Sequence, residues 1–203
     1  MKIFPTFDLE SELYTLGRAR IIGVDEVGRG PLAGPVVAAA VWLDPENIPG
    51  GLNDSKKVPL KLRKTLAELL PQIADVSTGQ ASVQEIDEFN ILGASHLAME
   101  RAVAGLNMRP AFALVDGNLI PRDLAVPARA VIKGDTISQS IAAASIVAKV
   151  LRDQLMLSLA QQYPGYGWDK NQGYPTKAHR EALQNLGVTP HHRRSFKPVH
   201  NML

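Results

Sequence analysis

Residues 21–41, IIGVDEVGRGPLAGPVVAAAV, constrain the fold of this chain more than any other stretch. An apolar run rich in β-branched residues closes on adjacent carboxylates, Asp25 and Glu26. A Gly28-Arg29-Gly30 loop follows at once, then the turn breakers Gly34 and Pro35, then a second apolar run. Two strands bracketing a tight loop are the simplest reading. Acids at a strand end are costly to desolvate unless a cation neutralises them, and a divalent metal ion is the usual answer. Two glycines around one arginine let the backbone approach a ligand closely while a fork of donors reaches a phosphate. Metal and phosphate together point to phosphoryl-transfer chemistry.

The rest of the 203 residues extends this start into one domain, 1–203. Residues 1–20 read as a short helix and lead-in. Ile21–Val27 and Val36–Leu43 are the hairpin strands, Asp44–Gly51 is a turn, and Asn53–Lys57 (NDSKK) is a polar loop. From Leu60, the positions Leu62, Leu66, Leu69 and Leu70 carry a helical period that Pro71 should end. Asp75–Ala81 is a strand, and Val83–Leu106 is helical with a break near Asn90. Ala111–Val115 runs as a strand into Asp116-Gly117, and Ala128–Ile132 as another into Lys133-Gly134-Asp135. A long helix covers roughly Ile137–Gln162, stopped by Pro164-Gly165; a last one, Thr176–Leu186, ends at Gly187, where a left-handed cap is expected. The order predicts an α/β fold: a mixed central β-sheet flanked by helices, with a small C-terminal helical region over about 164–203.

Net charge is only +2, so any nucleic-acid surface must come from local clusters of lysine and arginine. The absence of cysteine excludes disulfides and thiolate chemistry and leaves oxygen or histidine ligands for a metal. No apolar stretch approaches a membrane span, and the N-terminus lacks the apolar core of a signal peptide. A cytoplasmic monomer with no membrane partner is expected.

Three strands are expected to end at acids: Asp25-Glu26, Asp116 and Asp135. An Asp before Gly is often no more than a turn residue. Ligands in α/β sheets collect outside the strand ends, however, so four acids there can converge on one metal site. Neighbouring strand residues face opposite sides, so Asp25 and Glu26 share that site only if the strand ends there, which Gly28 permits.

The segment GVDEVGRGPLAGPVVAAAV, followed in order by NDSKK, VDGN, VIKGD, AAASIVAKVLRD, QGYPTKAH and HHRRSFKPV, closely resembles the bacterial ribonuclease HII (type 2 ribonuclease H) family, from about Ile21 to Val199. The resemblance implies the ribonuclease H-like fold and an endonuclease that cuts RNA within RNA–DNA hybrids and at single ribonucleotides embedded in duplex DNA. It places the family's acidic tetrad on Asp25, Glu26, Asp116 and Asp135, with Asp153 in the long helix as the competing fourth acid. The products it implies are a 5′-phosphate and a 3′-hydroxyl.

A phosphodiester repels an attacking hydroxide and develops charge on the leaving oxygen. Two Mg²⁺ or Mn²⁺ ions about 4 Å apart meet both demands, and such hard ions suit an all-carboxylate site. Telling RNA from DNA means sensing the 2′-hydroxyl, a donor and acceptor at once. The resemblance gives that task to Gly28, Arg29 and Gly30, and packs the Tyr174 ring on the neighbouring deoxyribose. The family often has lysine where Gln172 stands, and His or Asn at Asn171, which puts a basic contact there in doubt. Ser55 and Lys56 resemble a backbone-gripping loop that Lys57 assists. Ser145 and Lys149 lie one helical turn apart and could address one groove. In the basic run His191–Arg194, nucleic-acid backbone contacts, Arg193 foremost, or helix capping are expected. Two other readings compete. A junction resolvase would share the acids but has no need of the Gly-Arg-Gly loop, and a non-catalytic hybrid-binding module would tolerate loss of an acid.

Overall fold

In the computed structural model, which describes residues 4–203, the two apolar runs form strands β1 (Ile21–Val27) and β2 (Val36–Leu43) with the expected bounds. The first three residues of the expected lead-in lie outside the described residues. Strands β3 (Ala74–Ala81), β4 (Phe112–Asp116) and β5 (Ala128–Val131) complete one sheet in the order β3-β2-β1-β4-β5. β1–β2 and β2–β3 pair antiparallel, whereas β1–β4 and β4–β5 pair parallel. The carboxyl ends of β1, β4 and β5 therefore leave the sheet along the same edge.

β2 is apolar at nearly every position because both its faces are covered. Val36, Ala38 and Ala40 pack with Ala94, Ala98 and Ala102 of α3 (Val83–Ala104). Val37, Ala39 and Val41 pack on the other face with Ala143 and Ile146 of α4 (Gln139–Gln162), and with Leu66 and Leu70 of the 14-residue helix Leu60–Ile73. In chain order the helices are α1 (Asp8–Thr15), α2 (Leu60–Ile73), α3, α4, α5 (Trp168–Asn171), α6 (Lys177–Leu186) and α7 (Lys197–His200). Glycines allow the layers to touch. A Cβ on Gly23 would fall 2.1 Å from the Ser140 carbonyl carbon, so the start of α4 lies directly on β1, two residues before Asp25. The C-terminal segment forms its own small core, in which Trp168, Tyr166, Leu183 and Val199 enclose Leu32, Ala33 and Met156.

Local chemistry accounts for the helix ends. Ser82 and Glu85 form a reciprocal capping box on α3. At the expected break, Asn90 takes φ +59 and its side-chain oxygen caps the restarted helix at the Leu92 N–H. Three expectations need correction. α2 runs past Pro71 to Ile73, because a proline this near the C-terminus removes only one ladder bond while Leu66 and Leu70 hold the helix to the core. Gly187 has φ +81 but ψ −168, an extended exit rather than a left-handed cap, and its carbonyl accepts from the Tyr166 hydroxyl. The four-residue helices α5 and α7 were not expected; at that length a periodic pattern carries no signal.

Candidate active site

Asp25 and Glu26 point to opposite faces of β1, as alternation requires. Asp25 lies on the α4 side with Gly23, and Glu26 on the α3 side, where it also borders a small recess with Ser95, His96 and Met99. They nonetheless share a cleft, because β1 pairs with β4 only as far as Val24, leaving both acids at the splayed end of the sheet. Asp116 closes β4 in the same cleft, and its Oδ1 accepts from the Gly134 N–H at 2.7 Å. That bond anchors the 3-10 turn Gly134–Thr136 and so fixes Asp135 beside it. The cleft, about 220 Å³, is lined by all four acids together with Gly28, Arg29, Gly30, Ser55, Lys56, Ser145 and Tyr174. A roomier groove of about 500 Å³ between the start of α3 and the end of α4 has no converging acids beyond Glu85, which Arg101 neutralises.

The four carboxylates repel one another, and the cations beside them, Arg29 at Glu26 and Lys56 at the rim, offset that only in part. Burial, with the charges of Glu26, Asp116 and Asp135, pushes Asp25 well above the usual carboxylate range. Burial raises Glu26 as well, opposed by the Arg29 guanidinium 3.3 Å from its Oε1. Asp135 is pushed up to about 6 by burial, Asp116 and Asp54, against the pull of Lys56 and Lys57. An all-oxygen donor set whose charges are held apart at such cost fits hard divalent cations. Among the described residues, no three His, Cys, Asp or Glu side chains are drawn close enough together to hold a metal ion as they stand.

Asp153 is not in this cleft; its carboxylate receives Lys149 at 2.6 Å and Arg63 at 3.9 Å. Asp135, not Asp153, therefore shares the space of the other three acids. Lys149, expected to address the groove with Ser145, is turned to Asp153 instead, one helical turn on. Ser145 does face the cleft, where its hydroxyl donates to Ser55 Oγ at 2.9 Å and accepts the Ser55 N–H. The expected phosphate contact of Arg193 is not available: its side chain is fully buried and its donors are taken by main-chain carbonyls, among them Gly28 and Arg29. The neighbouring run is turned inward only in part, with Arg194 and Ser195 exposed. His192 is buried, His191 stands edge-on to Tyr163, and the Arg194 and Ser195 N–H groups cap onto Asp87.

The Gly28–Gly30 loop borders the cleft. Its N–H groups find no acceptor among the described residues, while the Gly28 and Arg29 carbonyls are turned inward to Arg193. Gly28 has φ +103, a conformation that favours glycine, and a Cβ there would strike Arg152 Nε at 2.2 Å. The Tyr174 ring lies over Gly30, 3.4 Å from where its Cβ would stand, and is 40% exposed.

Arg63 and Arg152 were missed in the sequence. Arg63 donates to the Ser55 and Val58 carbonyls and shapes the Asn53–Lys57 loop. Arg152 carried a readable signal, since it falls at four-residue spacing between the buried Ala148 and Met156 on the apolar face of α4.

Comparison with known proteins agrees with this geometry. The family model described as ribonuclease HII matches residues 22–199. A protein named ribonuclease HII from Ruegeria pomeroyi is 68% identical over 199 residues, 98% of this chain and 85% of that protein. Its namesake from Paracoccus denitrificans is 62% identical over 200 residues, covering 98% and 95%. The crystal structure of ribonuclease H2 from Pyrococcus horikoshii superposes with a TM-score of 0.73 at 28% identity, covering 90% of this chain and 96% of that one.

Proposed function

The chain belongs to the ribonuclease HII family and is a metal-dependent endoribonuclease with ribonuclease H activity on RNA–DNA hybrids; from that premise we propose that it also incises duplex DNA 5′ of single embedded ribonucleotides, leaving a 5′-phosphate and a 3′-hydroxyl. The observation that carries this reading is the meeting, in one cleft, of four acids that only Arg29 and the rim lysines partly offset and a loop whose N–H donors have no acceptor among the described residues. Asp25, Glu26, Asp116 and Asp135 are the residues that would hold divalent cations, Mn²⁺ or Mg²⁺. Two such ions, when bound, supply an activated water and a counter-charge for the leaving oxygen.

The protein's own groups do the rest. Asp116 is oriented by the Gly134 N–H, Asp25 accepts the Glu26 N–H at 2.7 Å, and Arg29 restrains Glu26. Free N–H groups at Gly28–Gly30 offer donors to a 2′-hydroxyl, which a deoxyribose lacks. Tyr174 over Gly30 offers a flat face to the next sugar, and exposed Lys56, beside Ser55 at the rim, offers charge to a phosphate. We read the C-terminal part, about 164–203, as substrate-binding, since it delivers Tyr174. Among the described residues no helix is long and apolar enough to cross a membrane, and we take the enzyme to act as a cytoplasmic monomer.

The test is cleavage of a labelled duplex carrying one ribonucleotide, beside an all-DNA duplex, with Mn²⁺ or Mg²⁺. A single cut 5′ of the ribonucleotide, abolished by chelator and by Asp25→Asn, is expected. Cleavage of continuous hybrid alone would refute incision at single ribonucleotides.

A further inference from the structure

Two arginine side chains, Arg152 and Arg193, are fully buried, and neither pairs with a carboxylate among the described residues. Burying a guanidinium costs several kcal/mol unless its donors are met, so two together require a reason. Both spend their donors on main-chain carbonyls and meet at that of Pro35. Arg193 holds the Gly28 carbonyl at 2.6 Å, Arg29 at 3.0 Å and Gly34 at 2.8 Å. Arg152 holds Ala33 at 3.2 Å and, across the cleft wall, the Gln172 carbonyl at 3.1 Å. Gln172 stands two residues before Tyr174. The main chain is laced in the same sense, with Leu32 N–H donating to Gly173 and Arg193 N–H to Leu32.

We propose that Arg152 and Arg193 are positioning residues for ribonucleotide recognition: a two-guanidinium clamp that fixes the Gly28–Gly30 loop against the Tyr174 ring and so sets the preference for a ribonucleotide–deoxyribonucleotide junction. The clamp rests on the reading that this loop and ring sense the ribonucleotide and its neighbour. It accounts for the Gly28 and Arg29 carbonyls being held by a guanidinium fork while the loop N–H groups have no acceptor among the described residues. It also requires arginine, because an ammonium has three donors at one point and cannot reach carbonyls on two separate segments. Burial draws Arg152 down to about 10 and Arg193 to about 9, which leaves both charged at neutral pH.

The experiment compares Arg152→Lys and Arg193→Lys with the wild type on three duplexes: one ribonucleotide in DNA, a continuous RNA–DNA hybrid, and DNA alone. Wild-type failure on the first duplex would overturn the reading beneath the clamp, a result the variants cannot mimic. With wild-type incision in hand, kcat/KM at the single ribonucleotide is expected to fall about 10- to 100-fold in either variant, and that on the continuous hybrid by no more than about threefold. In a Tyr174→Ala background the same substitutions should leave the ratio of the two rates unchanged, because the group they place is gone. Thermal melting follows the folded fraction. A ratio unaltered by either lysine, with both rates falling together, overturns the clamp and leaves the arginines structural. Should neither lysine variant fold, Arg152→Gln, which keeps a donor for one carbonyl without the buried charge, is judged by the same ratio.

Discussion

Replacing His192 by Asn should remove its own share of the acid sensitivity of the segment that carries Tyr174. His192 is buried and belongs to a chain of neutral groups whose protons can be assigned from their partners. The Trp168 indole can only donate, so His179 Nε2, 2.9 Å away, accepts, and His179 Nδ1–H donates to the Tyr174 carbonyl at 2.9 Å. His192 Nε2, 3.2 Å from the same His179 nitrogen, must then carry its own proton, leaving its Nδ1 to accept the Thr189 N–H at 3.0 Å. Protonating either imidazole puts two donors face to face inside the protein. Burial first, and then the His179 and His191 charges, depress His192 from 6.5 to about 4. The folded state therefore binds fewer protons than the unfolded chain between those values. Stability is full above about pH 6.5 and is lost as the pH falls through that window. At about 1.4 kcal/mol per pKa unit, the whole interval is worth about 3 kcal/mol, of which about 2 kcal/mol is gone at about pH 5. The assay is urea denaturation of wild type and His192→Asn at several pH values from about 8 to 4.5. Asn preserves an acceptor for Thr189, so the variant starts lower at alkaline pH, yet its curve should be flatter by those about 2 kcal/mol. Parallel curves would refute the tautomer assignment and the neutral network with it.

Three further outcomes are expected. Asp25→Asn should lower turnover by at least about a thousandfold while raising the melting temperature, since it removes a buried charge held against three like charges, and Mn²⁺ should stabilise it less than the wild type; near-normal turnover would exclude Asp25 from metal binding. Gly23→Val, whose Cβ would fall 2.1 Å from the α4 backbone, should cost more than about 3 kcal/mol in the same urea assay, and a loss below about 1 kcal/mol would show that α4 can move off β1. Lys56→Ala should weaken hybrid binding and flatten the slope of log K against log salt by about one, whereas an unchanged slope would take Lys56 off the duplex.

What the sequence reveals here follows the range over which its signals act. The bounds of β1 and β2 were legible because apolar runs and flanking glycines are local. The convergence of Asp25, Glu26, Asp116 and Asp135 was legible because parallel strands deliver their ends to one edge, so a rule about strand ends needed no coordinates. Arg193 was misread for the complementary reason. A run of histidines and arginines looks like solvated charge, and the carbonyl it serves at Gly28 lies 165 residues away in sequence. Lys149 and Asp153 were read separately although their four-residue spacing on one helix already makes them partners.

On the proposed reading, catalysis and recognition hang on different supports. Asp25, Glu26 and Asp116 stand at strand ends and Asp135 on a turn anchored by the Gly134 N–H, whereas the Gly28–Gly30 loop is held by guanidinium forks and by main chain from distant segments. This division gives meaning to position 172, where the resemblance leads one to expect lysine and this chain has glutamine. Gln172 adopts φ +53, its side-chain nitrogen bonds the nearby Asp169 carbonyl, and its own carbonyl receives Arg152. Asn171 makes the adjoining turn, accepting the Gly173 N–H on its side chain and the Tyr174 N–H on its carbonyl. What reaches Tyr174 from position 172 is main chain, which any side chain able to accept a left-handed φ can supply. Glutamine in place of a lysine therefore leaves the rim one positive charge fewer but the ring in place over Gly30. A Gln172→Lys variant should tighten hybrid binding at low salt and leave the ratio of junction to hybrid cleavage unchanged, and a shift in that ratio would mean that the side chain, not the backbone, reads the junction.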